Sequence, residues 1–264
     1  MAIASKKFPV TLTYTAYGLK PPFHLEPNLV PDEFSPYTIA CALFPRESLM
    51  RIATDVDMVL VDFDETWRRA GEVVLRRPLQ RLSREYALAP RYGLTPEETA
   101  RVWEHFTREN LWRRCHPIPH ALRALRRQQK EGHTLFAVSA IPESVVPARR
   151  AQLDDWGLTQ VEILATGSPV VGGPSSKEAI LRALHLDFYA DDRWDHCAEA
   201  QRAGVPYIAH IASTHDSDGH HPIPGIPQHD HLGCALHHWR QELQDAHERH
   251  TLDTEEGLLW IPAL

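Results

Sequence analysis

With 264 residues, 43% of them apolar and 24% charged, the chain can build one sizeable core and has the ordinary charge content of a soluble globular protein. A net charge of −7 gives no basic footprint for a nucleic-acid backbone, so nucleic acid is not an expected partner. Four scattered cysteines (Cys41, Cys115, Cys197, Cys234) without a CxxC pair suit a reducing compartment, and neither a leader pattern nor an apolar run of bilayer length occurs, so the expected location is cytoplasmic, with no membrane contact.

Residues 1–55 begin with a β-rich stretch, Pro9 to Tyr17, that Pro21, Pro22, Pro27, Pro31 and Pro36 then interrupt. This composition predicts an N-terminal arm, packed on the main sheet or on a second subunit of a homo-oligomer. The apolar run Asp57-Met58-Val59-Leu60-Val61 has the length of a buried parallel strand, and it stops at Asp62-Phe63-Asp64-Glu65-Thr66. Residues i and i+2 of an extended chain share a face, so Asp62 and Asp64 are expected to converge beyond the carboxyl end of the strand, where open α/β sheets bind ligands.

Trp67 to Leu75 reads as a hairpin turning near Gly71, and residues 77–131 read as helices. Leu79, Leu82, Tyr86 and Leu88 have near-helical spacing; Thr95-Pro96-Glu97-Glu98 marks the start of a second helix reaching Thr107; a third runs from Pro119 to Gly132 with Ala121, Leu122 and Leu125 inward. The expected organisation is a core of residues 56–76 and 117–250, a helical cap over 77–116, and a C-terminal tail over 251–264. Beyond the cap, strands at 135–139, 161–165, 188–190 and 206–209 alternate with helices at 143–156, 177–185 (capped by Ser175 or Ser176) and 195–203. That alternation predicts an α/β fold with a parallel, Rossmann-like sheet and crossover helices.

Four polar features fall at strand ends or helix starts: Asp62 with Asp64, Ser139, Lys177, and Asp191 with Asp192. Together they suit phosphoryl transfer. One aspartate attacks phosphorus, a second carboxylic acid protonates the leaving oxygen and activates water, carboxylates hold Mg²⁺, and a hydroxyl and a lysine hold the phosphoryl oxygens.

In this order the four features resemble the motifs of the haloacid dehalogenase-like superfamily: a DxDxT motif at 62–66, Ser139 with Ala140 after a strand, Lys177, and the Asp191-Asp192 pair. The resemblance covers residues 55 to 210. It implies that Asp62 is the nucleophile and a metal ligand, that Asp64 is the general acid/base with its carbonyl on the metal, and that Asp192 completes the Mg²⁺ site with Asp191 beside it. Thr66, Ser139, Ala140 and Lys177 would bind the phosphoryl group. Glu65 stands where many members have glycine; His196 stands where many have Asp or Asn, with Asp195 as a substitute.

The expected function is therefore hydrolysis of a small phosphorylated metabolite or nucleotide by a Mg²⁺-dependent phosphatase. A phosphomutase or phosphotransferase, a polynucleotide phosphatase, and a non-catalytic binding protein of the same fold are the alternatives. Trp67, Trp103 and Trp112 are expected to be core residues rather than a stacking surface for substrate. The histidines from His210 to His238 are expected to form a solvated loop rather than a metal site, since no zinc spacing is present.

Overall fold

The computed structural model describes residues 49–167, 177–215 and 221–258. The expected arm before residue 49, Ser175, Ser176 and His220 lie outside the described residues. The strands are β1 (Arg51–Thr54), β2 (Val61–Asp62), β3 (His116–Pro117), β4 (Thr134–Ser139), β5 (Val161–Ala165), β6 (Phe188–Asp191), β7 (Tyr207–Ile211) and β8 (Gln228–His229). Six of them form one parallel sheet in the order β5-β4-β1-β6-β7-β8. Among the described residues the α-helices are α1 (Phe63–Leu75), α2 (Leu88–Tyr92), α3 (Pro96–Arg108), α4 (Pro119–Lys130), α5 (Val146–Asp155), α6 (Lys177–Leu184), α7 (Trp194–Ala203) and α8 (Leu232–Leu258).

Parallel neighbours need crossovers, and α4 to α7 supply them. Both sheet faces are consequently covered. Ile52, Leu135, Ala137, Phe188 and Ala190 point into one core with Leu122, Leu125, Leu153, Leu236 and Trp239, whereas Ala53, Phe136, Val138 and Tyr189 point into another with Leu181, Trp194 and Cys197. This two-sided burial explains why β4 and β6 read as continuous apolar runs.

The first strand differs from expectation. The central strand is Arg51–Thr54, and it ends at Asp55. Residues 57–61 form a tight loop instead: Met58 has φ of 63°, its amide donates to the Val61 carbonyl at 2.7 Å, and the Leu60 and Val61 amides donate to the Val56 carbonyl at 2.8 and 3.1 Å. Val59 and Leu60 are buried in this loop, so their apolar character reflects burial without extension.

The expected hairpin is the continuous helix α1. Gly71 lies within it, where a Cβ would meet Leu79 Cδ1 at 2.5 Å, so this glycine marks a close approach and not a turn. Helix over residues 77–92 is confined to α2. Arg91 shapes the preceding segment, donating to the carbonyls of Glu85 and Tyr86, both at 2.7 Å. The α3 start is as expected, with a capping box in which Thr95 and Glu98 satisfy each other's amides at 3.2 and 3.1 Å. The expected loop after 210 and the tail from 251 contain β8 and the long α8.

Phe63, Trp67, Trp103, Phe106 and Trp112 form one aromatic cluster, with Trp103 ring centroids 5.7 to 6.0 Å from the other four. A Trp103→Ala protein is expected to lose about 3 kcal/mol in a urea titration, the scale of a large-to-small change in packed surroundings.

Candidate active site

Asp55 leaves the carboxyl end of β1 with its amide still on the β6 side, donating to the Ala190 carbonyl at 2.8 Å. Its carboxylate is buried and accepts from Lys177 Nζ at 2.9 Å. Lys177, the first residue of α6 and fully buried, also donates to Asp191 Oδ2 at 2.7 Å and contacts the Tyr189 hydroxyl at 3.2 Å. One lysine therefore bridges the ends of β1 and β6.

Asp191 ends β6 and also receives the Tyr189 hydroxyl, the Arg193 amide at 3.0 Å and the His196 ring at 3.1 Å. Its neighbour Asp192 meets His215 Nε2 at 2.9 Å, and its carbonyl accepts from His210 at 3.0 Å. Carboxylate oxygens of Asp55, Asp191 and Asp192 lie within 4.8 Å of one another, and this is the one grouping among the described residues that could hold a metal ion; it includes no histidine.

The electrostatics fit a hard cation. Burial, with Asp191 and Asp192 beside it, pushes the Asp55 carboxyl up to about 7 even against Lys177. Burial would raise Asp191 too, but Lys177 and His196 hold it far below the usual carboxylate range. Lys177 pairs with two of these acids while Asp192 meets His215, and an all-oxygen donor set of this kind suits Mg²⁺.

Asp57, two residues after Asp55, pairs with the buried Arg149 of α5. Burial raises its carboxyl, and the Arg149 charge works in the opposite direction. Ser139 is buried at the end of β4, on the strand next to β1, and Ala140 follows it.

Asp62 and Asp64 contribute no oxygen to the metal-competent group. Asp62 caps α1, its Oδ1 accepting from the Glu65 amide at 2.9 Å. Asp64 is buried between Arg91, at 2.6 Å, and Arg81, with Thr214 donating to it at 3.3 Å. The Thr66 hydroxyl donates to the Asp62 carbonyl at 3.0 Å and accepts from the His116 amide at 3.1 Å. The cause is the position of the strand: six residues lie between Asp55 and Asp62, and a tight loop running into β2 occupies them. Asp195 is held by the Arg193 guanidinium at 2.6 and 2.9 Å, outside the acidic group.

The segment before α2 reaches the edge of this site. Arg193 lies 3.8 Å from the Tyr86 ring centroid, His215 meets the same ring edge-on at 5.1 Å, and Arg84 donates to the Ser213 carbonyl at 3.5 Å.

The chain is similar to haloacid dehalogenase-like proteins. No family model matches it. Over 109 residues it is 25% identical to a Bacillus cereus protein described as "Putative nucleotidase", covering 39% of this chain and 52% of that protein. The chain thus spans about half the length of the curated relative it matches. Solved structures similar in fold include CbbY from Rhodobacter sphaeroides in complex with phosphate, at 15% identity and a TM-score of 0.48, covering 70% of this chain and 96% of that one. A HAD family hydrolase from Deinococcus radiodurans R1 with bound phosphate and sodium aligns at 16% identity and a TM-score of 0.49, covering 74% and 96%.

Proposed function

We propose that the protein is a Mg²⁺-dependent phosphomonoester hydrolase that works through an aspartyl phosphate on Asp55. The observation that carries this reading is the Lys177 bridge between Asp55 and Asp191, with Asp192 alongside, at the carboxyl edge of a parallel sheet. An Asp55 oxygen attacks phosphorus while Asp57 gives a proton to the departing ester oxygen; water then attacks phosphorus, gives a proton to Asp57, and Asp55 is released with phosphate. Lys177 and the Ser139 hydroxyl hold phosphoryl oxygens, with Ala140 next to them. Asp55, Asp191 and Asp192 would hold Mg²⁺, which neutralises charge developing on the phosphoryl group. In this assignment the chemistry first expected of Asp62 and Asp64 passes to Asp55 and Asp57.

Residues 77–116 act as a cap whose Tyr86 and Arg84 border the mouth, which favours a small soluble ester as substrate. The similarity to a protein named as a nucleotidase supports including nucleoside monophosphates in the test. A cytoplasmic setting suits Cys115, Cys197 and Cys234, all free. No described helix is long and apolar enough to cross a membrane.

The deciding experiment measures phosphate release from a panel of sugar, nucleoside and aryl monophosphates, with Mg²⁺ and with EDTA. Release that requires Mg²⁺ supports hydrolysis; conversion of a sugar phosphate to its isomer without net phosphate release supports a mutase instead. Asp192→Ala is expected to raise the Mg²⁺ concentration for half-maximal rate by at least about tenfold, because a carboxylate is lost from a site for a hard cation. A Mg²⁺ titration of activity checks this.

A further inference from the structure

We propose that Arg149 is a positioning residue, which fixes the carboxylate of Asp57 and ties that setting to the base of the helical insert. The inference rests on the reading of Asp55 and Asp57 given above. Arg149 belongs to α5, a crossover helix of the sheet, yet its side chain is fully buried and its guanidinium meets two distant segments as well as Gln152 of its own helix. Burying a guanidinium is unfavourable unless charged and polar partners satisfy it. Here one amino group donates to Asp57 Oδ1, and the other donates to the Trp112 carbonyl at 2.9 Å and to Gln152 Oε1 at 2.8 Å. Gln152 in turn donates to the Cys115 carbonyl at 3.0 Å, and the Trp112 ring centroid lies 5.2 Å from the guanidinium carbon.

Residues 112 and 115 are where the chain returns from the insert to the sheet, immediately before β3. Arg149 therefore touches the catalytic loop and the base of the insert with one rigid group. Its planar fork makes this a directional tether and not a diffuse charge. Among the described residues Arg149 takes one oxygen of Asp57, and the Asp57 side chain stays 24% exposed, which leaves the second oxygen to exchange a proton with the leaving group or with water. A structural arginine would anchor the insert and nothing more; a positioning arginine acts through Asp57.

The two roles separate with 2,4-dinitrophenyl phosphate, whose leaving group departs without a proton. Phosphorylation of Asp55 then needs little from Asp57, while hydrolysis of the phosphoenzyme still needs Asp57 to take a proton from water. Arg149→Met is expected to show a burst of about one dinitrophenolate per active site, followed by a steady rate lower by about tenfold to hundredfold, the scale at which misplacement of a catalytic group acts. Arg149→Lys should recover part of that rate. In an Asp57→Asn background, Arg149→Met should change the steady rate by less than about twofold, since residues acting as a unit are non-additive. An equal rate loss in both backgrounds, or an unchanged rate with no burst, would overturn the proposal. If Arg149→Met does not fold, the same cycle with Arg149→Lys gives the same decision. Failure of the underlying reading is distinguishable, because it appears as turnover by an Asp55→Asn protein whatever Arg149 does.

Discussion

An Asp55→Asn protein is expected to fold like the wild type and to lose phosphate release by roughly four orders of magnitude or more, the scale seen when a nucleophile is removed. The amide keeps the shape of the carboxylate and can still meet Lys177, but it cannot attack phosphorus. The informative control is Asp62→Ala. Asp62 caps α1 through the Glu65 amide, so its loss should lower stability by about 1 kcal/mol while kcat stays within a few-fold. Steady-state phosphate release and a trapped, acid-stable phosphoenzyme measure both arms; normal turnover by Asp55→Asn with an inactive, well-folded Asp62→Ala would return the nucleophile to Asp62.

The second large effect concerns stability. Asp64 is buried against two arginines, of which Arg91 is itself buried and holds the carbonyls of Glu85 and Tyr86. Asp64→Ala leaves the Arg91 charge in the interior without its partner, and the expected loss is about 3 to 5 kcal/mol. A lowered urea midpoint at unchanged slope would register it. Burial alone would raise the Asp64 carboxyl, but Arg91 and Arg81 outweigh burial and hold it below its usual value. Its contribution is thus fully present above the unfolded carboxyl value of about 4 and disappears as pH falls through the lower folded value. The stability difference between wild type and Asp64→Asn should accordingly narrow in acid, below about pH 4.

Strand alternation after residue 134 was legible because β4 and β6 are buried on both faces and carry little but apolar residues, and the edge strand β5 keeps four apolar residues of five. Asp191 and Asp192 stand out as polar residues after the apolar run of β6, and Lys177 stands out at a helix start that follows a Gly-Pro-Ser stretch. The first strand was not legible by that criterion. Arg51-Ile52-Ala53-Thr54 is more polar than Met58-Val59-Leu60-Val61, so apolar content favours the wrong segment. Two DxD patterns compete, at 55–57 and 62–64, and the threonine that seems to complete the second serves a helix turn, with its hydroxyl on the Asp62 carbonyl. What separates the patterns is sheet pairing: β1 lies between β4 and β6, contacts more than eighty residues away in the chain. Helix α8 did carry a local signal. Leu232, Ala235, Leu236 and Trp239 follow the i, i+3, i+4, i+7 spacing, and all four are buried. The surrounding histidines and the Gly-Pro-rich stretch before it masked that spacing.

The short β2–β3 ladder has a consequence for how the chain tolerates change. Val61 faces Pro117, Asp62 faces His116, and the Ile118 amide donates to the Leu60 carbonyl at 2.8 Å, so the two ends of the intervening segment are clasped at its root. Once both ends are pinned, the length between them enters mainly as a loop-closure term, and doubling it costs only about 0.6 kcal/mol. Exposed positions between 76 and 110, away from the buried Leu79, Arg91, Tyr92, Val102 and Phe106, can therefore accept added residues with little strain passed to β1 or β4. The clasp confines such changes to the segment itself, and its exposed turns are the places where insertions are most readily tolerated.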